Sequence, residues 1–300
     1  MNELFDKVLG KIKLSEKETK KMNRGIEKFV QELDWKIRRK KIRAEVFVGG
    51  SSGKGTVVKR ENQDIDIFVR FLNEGDINKL EELIPGEKNK IHGSRDYFKV
   101  SFSGLGFEVV PVLKISKPEQ AKNVTDLSYF HVSYIKRKIN EKRRLEDEVR
   151  LAKSFCFSQR AYGAEGYIRG FSGYALELLI IYYGGFYKMI KGLGRIDVKK
   201  KKLIVDMEGH YKSKKIEDEM NESKLISPII FIDPTYKKRN VLAGLSYGTF
   251  YRFQESCKRF LKKPSEKFFF RQKMNKKDFN LILIAKTNRQ KGDVAGSKLW

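Results

Sequence analysis

Residues 46–68 read VFVGGSSGKGTVVKRENQDIDIF, and the parsing of that stretch decides the fold. A glycine–serine loop carrying Lys54 leads through a short basic run to two aspartates, Asp64 and Asp66, inside an apolar segment. A P-loop needs GxxxxGK followed directly by a hydroxyl residue that binds Mg²⁺. Here Gly55 follows Lys54, and the span from Gly49 to Gly53 is one residue short, so that reading fails twice. What remains is a plain turn, or the phosphate-and-metal end of a nucleotidyl transferase.

The strand pattern favours the second. On a β-strand Asp64 and Asp66 point to one face, about 7 Å apart along the backbone, while Ile65 and Ile67 point to a core. Two carboxylates on one face can share divalent cations, which together hold a triphosphate and activate a hydroxyl. Mg²⁺ suits such a place because it takes oxygen ligands, phosphate among them, without a closed protein cage. The Gly50–Ser51 turn is expected to lead into a short helix beginning near Ser52, with backbone N–H groups and Lys54 facing phosphate. A DxD strand taken alone is equally a solvated face or a salt bridge. Glu108, the lone acid in GLGFEVVPVL, adds a third carboxylate. Buried there it demands a cation. The alternative is an edge strand with Glu108 turned to water.

The rest of the chain sets the class. Its 300 residues suit two domains and part of a third. Sixty-four Lys and Arg against 38 Asp and Glu give a net charge of +26, a field that attracts polyanions. Nucleic acid is the first expectation and an anionic membrane surface the second. Cys156 and Cys257 form no disulfide framework and sit in apolar helical contexts. With three histidines and no CxxC, a zinc site is not expected. No apolar leader opens the chain, and its most apolar run, ALELLIIYYGGF, is short and contains Glu177. The expectation is a cytoplasmic protein with no membrane span.

Periodicity gives an α+β organisation. Ser15 and Glu18 form a capping box ahead of a long amphipathic helix that ends in the basic run KIRRKK. Strand patterns follow at 45–48, 64–71, 97–102 and 106–112, with a helical stretch near 76–83. From Thr125 the pattern is mainly helical, with FSGYALELLIIYYGGFYKMIKGL read as one helix capped by Ser172 and NVLAGLSYGTFYRFQESCKRFLKK as another. Tyr129 and Phe130 read as core residues, and His131 as a packed helix histidine. A strongly apolar strand is expected at 279–286. These boundaries divide the chain into 1–124, 125–263 and 264–300, the last being the start of a third, incomplete α/β region.

With these residues in view, GGSSGKGT…DIDIFVRF resembles the head of the DNA polymerase β-like nucleotidyltransferases, a mixed sheet with helices on one side. FEVVPV, TDLSYFH, YGAEGYIRGFSGY and FIDPTYKKRNV narrow the resemblance to the archaeal, class I CCA-adding enzymes, which are tRNA nucleotidyltransferases. The resemblance runs from about residue 15 to the end. It implies two Mg²⁺ ions at Asp64, Asp66 and Glu108, CTP and ATP as substrates, and tRNA as partner. It implies triphosphate contacts from the loop at Gly50, Ser51 and Lys54. Lys153 and Tyr162 match a pair that grips triphosphate and ribose, and Arg239 an arginine that reads the incoming base. Read without the family, Lys153 is a solvated helix residue, Tyr162 a core tyrosine, and Arg239 a phosphate contact in a basic turn before a helix. Arg38, Arg39, Lys136, Arg137 and Lys138 are candidates for tRNA phosphates.

The sequence departs from the family in three places. Glu108 stands where an aspartate is usual, Arg95 stands where a histidine is expected near the phosphates, and the chain stops just after the first strand of the third region. A second polypeptide or a homo-oligomer is therefore expected to complete that region. The other readings of the chain are a different RNA-tailing or protein-nucleotidylating transferase of this fold, and a tRNA-binding scaffold with an inactive head.

Overall fold

The computed structural model describes residues 1–60, 64–141, 145–211 and 216–271. The chain opens with α1 (Asn2–Ile12) and α2 (Glu16–Arg39). The capping box forms as its spacing predicts. Ser15 Oγ accepts from the Glu18 N–H, and the Glu18 carboxylate accepts from the Ser15 N–H. Phe29, Leu33 and Ile37, four apart, then line one buried stripe of α2.

That stripe covers a five-stranded sheet. After β1 (Ala44–Val48) come α3 (Gly50–Gly53), β2 (Asp64–Phe71), α4 (Leu80–Leu83), β3 (Glu87–Ile91), β4 (Tyr97–Phe102) and β5 (Leu105–Leu113). The strand order is β1-β2-β5-β4-β3, with β2 and β5 parallel and every other pair antiparallel. Ile65, Ile67, Val69 and Phe71 alternate into a core with α2, and Phe29 stacks on Phe107 at 4.1 Å between ring centroids. Because β5 is the middle strand, the edge-strand alternative for Glu108 fails. The strand the sequence hides is β3. EKNKI has no apolar alternation because it is an exposed edge carrying charges, which discourages pairing with other chains.

The helical half contains α5 (Ser128–Asn140), α6 (Leu145–Ser158), α7 (Gly173–Tyr183), α8 (Phe186–Leu193), β6 (Leu203–Val205), α9 (Ile216–Glu219), α10 (Glu222–Leu225), β7 (Ile229–Asp233), β8 (Tyr236–Asn240) and α11 (Tyr247–Lys262). Three expectations are corrected. The run from Phe171 to Leu193 is two helices, broken where Gly184 and Gly185 take φ of +72° and +141°. FIDPTYKKRN is a hairpin in a small three-stranded sheet, so Arg239 lies on β8 and not in a turn before a helix. The following helix starts at Tyr247, where Ser246 Oγ accepts from the Thr249 N–H at 3.1 Å.

This half is held by an aromatic core in which Phe155, Phe186, Phe260 and Phe269 meet mostly edge to face. Phe5 of α1 joins it, so the first helix packs with the helical half although it precedes the sheet in sequence. Cys156 and Cys257 are free and buried there, and burial pushes both thiols up. Tyr129 is not core. It is 40% exposed, edge-on to Phe47 and capped by the Arg70 guanidinium 3.8 Å from its ring. Of the expected third region, Glu266–Phe269 form a short turn with Phe269 buried, and the strand expected at 279–286 lies outside the described residues. Among the described residues no helix is long and apolar enough to cross a membrane.

The seating of α3 on the sheet allows no side chain at Gly53, where a Cβ would lie 2.2 Å from the Val48 carbonyl oxygen. Gly53→Ala is expected to destabilise the fold by about 1–3 kcal/mol in urea denaturation. Gly10→Ala, with nothing within 4 Å of the added carbon and a helical position, should instead stabilise by about 0.5–1 kcal/mol.

Candidate active site

The loop between β1 and β2 is clamped to the strand that carries the aspartates. The Gly49 N–H donates to the Asp66 carbonyl at 2.9 Å, and the Thr56 N–H to the Ser51 carbonyl at 2.9 Å. Gly50 takes φ of +51°, and a Cβ there would lie 1.6 Å from Asp66 Oδ2. Only glycine lets the loop lie this close to the carboxylate. The short helix begins at Gly50 and not near Ser52, and the Ser52 Oγ is buried with no hydrogen-bond partner.

Strand register gathers the acids. Asp66 pairs with Glu108 across the parallel β2–β5 ladder, and Glu108 pairs with Lys99 on β4. The Lys99 ammonium lies 2.8 Å from Asp64 Oδ2 and 3.0 Å from Glu108 Oε1. Burial lowers its pKa, but the two carboxylates outweigh burial and raise it. Asp66 behaves oppositely. Burial, then the negative charge of Glu108, pushes it up to about 6, with Lys54 and Lys153 pulling the other way. The chemistry of this face fits a divalent cation: carboxylate oxygens, mutual repulsion, and an ammonium already drawn between two of the acids. Among the described residues no three ligand side chains close into a metal cage. Mg²⁺ ordinarily takes one or two carboxylates and fills the rest of its shell with phosphate and water.

The facing wall comes from the helical half. Glu177 on α7 is fully buried and accepts from Lys54 Nζ at 2.5 Å, Lys153 Nζ at 2.8 Å and Thr56 Oγ1 at 3.0 Å. Burial raises its carboxyl, and the charges of Lys153 and Lys54 more than reverse that, leaving it below the usual range. Lys153 is therefore a buried ion-pair member and not a solvated helix residue. Tyr162 lies beside it. A carbon added at Gly173 would be 3.1 Å from the Tyr162 hydroxyl and 3.7 Å from Lys153 Cε. Arg60 stacks over Phe157 at 4.0 Å and Tyr162 at 4.8 Å, and burial lowers its pKa. Arg150, also on α6, ties the same loop down, donating from Nε to the Val57 carbonyl at 2.9 Å and from Nη2 to the Gly55 carbonyl.

A second buried carboxylate organises the rim. Asp233, at the end of β7, accepts from Arg239 Nη1 at 2.6 Å, His131 Nε2 at 2.9 Å, Tyr174 at 3.1 Å, and both the N–H and hydroxyl of Thr235. Burial raises it and these donors outweigh burial, so it stays ionised. Burial lowers the His131 pKa against the opposing pull of Asp233, and Nε2 donates to that carboxylate, which only accepts.

The structure thus brings together Gly50, Ser51, Lys54, Asp64, Asp66 and Glu108 from the head, with Lys153 and Tyr162 opposite and the Arg239 network beside them through His131, which feels the charge of Lys54. Arg95 is engaged elsewhere. Its guanidinium pairs with buried Asp126 and donates to the Pro111 carbonyl at 3.3 Å, about 10 Å along β5 from Glu108. Arg38 and Arg39 are exposed in the last turn of α2, with Arg39 5.1 Å from the Trp35 ring. Lys136 and Arg137 are exposed on α5, while Lys138 lies 3.6 Å from Glu208. The sequence reading missed Lys99, Arg60, Asp126, Glu177 and Asp233 as site or framework residues. Glu177 and Asp233 carried a usable signal: each is a lone acid in an apolar run, the same signal that singled out Glu108.

Comparisons with known proteins bear on the family and the fold. Residues 26–145 match a family model described as a nucleotidyltransferase domain, and residues 147–270 one described as the second domain of tRNA nucleotidyltransferase. A CCA-adding enzyme of Nanoarchaeum equitans is 39% identical over 265 residues, covering 85% of this chain and 64% of that protein. CCA-adding enzymes of Methanosarcina mazei and Methanocaldococcus jannaschii are 34% and 33% identical, covering 88% and 90% of this chain and 57% and 61% of theirs. The chain thus spans about three-fifths of the length of these relatives. Among solved structures, a cytoplasmic RNA terminal U-transferase superposes with a TM-score of 0.67 at 16% identity, covering 91% of this chain and 98% of that one. E. coli CdnC, in complex with a HORMA protein, gives 0.61 at 14% identity, with 89% and 93% covered. At these identities the likeness is one of fold.

The raised Asp66 makes a prediction about stability. A carboxyl whose folded pKa lies above its unfolded value opposes folding above about pH 6, and the penalty fades as pH falls from there toward the unfolded value. Without divalent metal, Asp66→Asn should therefore melt about 2–6 °C higher than the unsubstituted protein at pH 8. The gap should narrow by pH 5 in the same thermal scan.

Proposed function

We propose that this chain, which belongs to the family of the archaeal CCA-adding enzymes, adds C, C and A to the 3′ end of tRNA from CTP and ATP without a nucleic-acid template. The observation that carries the reading is the facing of two walls: Asp64, Asp66 and Glu108 on neighbouring parallel strands, against Lys54 and Lys153 anchored together from loop and helix. One wall suits divalent cations, the other the phosphates those cations accompany.

Two Mg²⁺ ions held by the three carboxylates would polarise the triphosphate and acidify the attacking hydroxyl. The chain's own residues do the rest. Lys54 and Lys153, with the Ser51–Ser52 turn, hold the β- and γ-phosphates and stabilise the charge that develops on the leaving group. Tyr162 borders the ribose, and Arg239, fixed by Asp233, faces the base and the RNA end. The tRNA 3′-oxygen forms a bond to the α-phosphorus, the bond from that phosphorus to the pyrophosphate oxygen breaks, and the hydroxyl proton leaves to the carboxylate face or to water. The exposed cations Arg38, Arg39, Lys136 and Arg137, with Lys138, hold the acceptor stem through phosphates, so binding weakens steeply with salt. Arg95 acts from behind this site by fixing the end of β5 through Asp126. Of the expected division into 1–124, 125–263 and 264–300, this labour falls to a head that ends at 124 but excludes α1, and to a central domain from 125 whose core takes in both α1 and Phe269.

The test is incubation of the full chain with tRNA lacking its CCA end and labelled CTP, ATP, UTP or GTP in turn. Incorporation of C and then A is expected. Addition of U, labelling of protein, or no labelling at all would replace the proposal with an RNA-tailing enzyme, a protein-nucleotidylating enzyme or an inactive scaffold. Asp66→Asn should abolish incorporation while tRNA affinity in a filter-binding assay stays within about twofold, since a carboxylate contributes nothing favourable to phosphate contact.

A further inference from the structure

Glu177 is the one charged residue of α7, a helix otherwise apolar on every side, and its side chain is 0% exposed. A lone carboxylate is not buried so completely unless its partners compensate. Those partners come from two halves of the molecule. Lys54, 8% exposed, belongs to the loop of the sheet half, and Lys153, 4% exposed, to α6 of the helical half. Thr56, also buried, completes the cluster by donating to Glu177 Oε1 and accepting from Lys153 Nζ at 2.8 Å. Two ammonium groups share one carboxylate, so the cluster keeps one surplus positive charge. Asp66, Arg60, Tyr162 and His131 are the titratable groups around it.

The donor inventory is informative. Each ammonium has three N–H groups. Lys153 directs two at Glu177 and Thr56, and Lys54 directs one at Glu177, which leaves three for a ligand. A triphosphate can therefore be bound without dismantling the cluster.

We infer that Glu177 is a positioning residue for the triphosphate: its buried carboxylate holds the ammonium groups of Lys54 and Lys153 together, charged and convergent, so that the spare N–H donors of both meet one polyphosphate. The inference rests on the nucleotidyl-transfer reading of the site. Without Glu177 two desolvated ammonium groups repel each other, and one of them swings away or loses its proton. The flexible stems then have to be ordered at the moment of binding instead of beforehand. A purely electrostatic role predicts the reverse, since removing a negative charge strengthens the attraction for an anion. The sign of the change separates the two.

The experiment titrates the full chain with inorganic triphosphate at fixed magnesium concentration and pH 8, and measures KM and kcat for CTP and ATP in parallel. Glu177→Gln keeps the shape and removes the charge. Triphosphate affinity is expected to fall on the order of tenfold, as for a lost charge-assisted contact. KM should rise by a similar factor, kcat should change less, and binding of unphosphorylated cytidine should stay as it was. Unchanged or tighter triphosphate binding would overturn the inference, as would equal losses for triphosphate and cytidine. Thr56→Val, which removes one anchor of Lys153 without altering charge, decides the matter if Glu177→Gln does not fold. It should weaken triphosphate binding by roughly threefold, and no weakening counts against the idea. Triphosphate binding that depends on Glu177 in a chain that adds no C or A would leave this inference standing and remove only the tRNA reading. CCA addition with an unchanged KM in Glu177→Gln would do the opposite.

Discussion

The parallel pairing of β2 with β5 is the constraint on which the rest of the site depends. Side chains alternate across a strand with a period of two, so the register that sets Asp66 opposite Glu108 also sends Ile65, Ile67, Phe107 and Val109 to the opposite face. Slipping the register by one residue would expose that apolar set and bury the acids. The acids are held in place by the hydrophobic core beneath them, chiefly the stripe of α2 that packs on it.

Around this sheet, buried charge joins the two halves of the molecule alongside apolar contacts such as Phe47 on Tyr129. The loop after β1 is anchored from beyond the sheet by Glu177, reached by Lys54 and Thr56, and by Arg150 on the Gly55 and Val57 carbonyls. A buried ion pair is weak evidence for stability, because desolvation offsets much of its attraction. What it does supply is a specified geometry. Asp233 repeats the arrangement at the rim, where five donors converge on one carboxylate and fix both Arg239 and His131. The Glu177 and Arg150 contacts join the two halves, while the Asp233 network fixes elements within the helical half.

The sequence was most legible where local periodicity carries the signal. The capping box at Ser15 and Glu18, the alternation through DIDIFVRF and the glycine at position 50 follow from side-chain chemistry within a few residues. The helical run from Phe171 was misread at Gly184–Gly185 because an apolar stretch looks the same whether it is one helix or two. β3 and β8 were missed for the opposite reason. Their charged residues suit an edge or a short hairpin and suppress the apolar pattern by which strands are recognised.

By itself the sequence determined the carboxylate face, the loop that meets it and a basic chain suited to a polyanion, because spacing along one strand and total charge survive without coordinates. Only the tertiary structure decided which partners complete the site. Lys54 and Glu177 are separated by 123 residues, Lys153 and Thr56 by 97, and Arg95 is claimed by Asp126 31 residues on. A charged side chain is compatible with water, with a ligand or with a buried partner. Which of these it meets depends on how distant elements pack: an apolar run around an acid signals burial, as at Glu177 and Asp233, but does not name the partner.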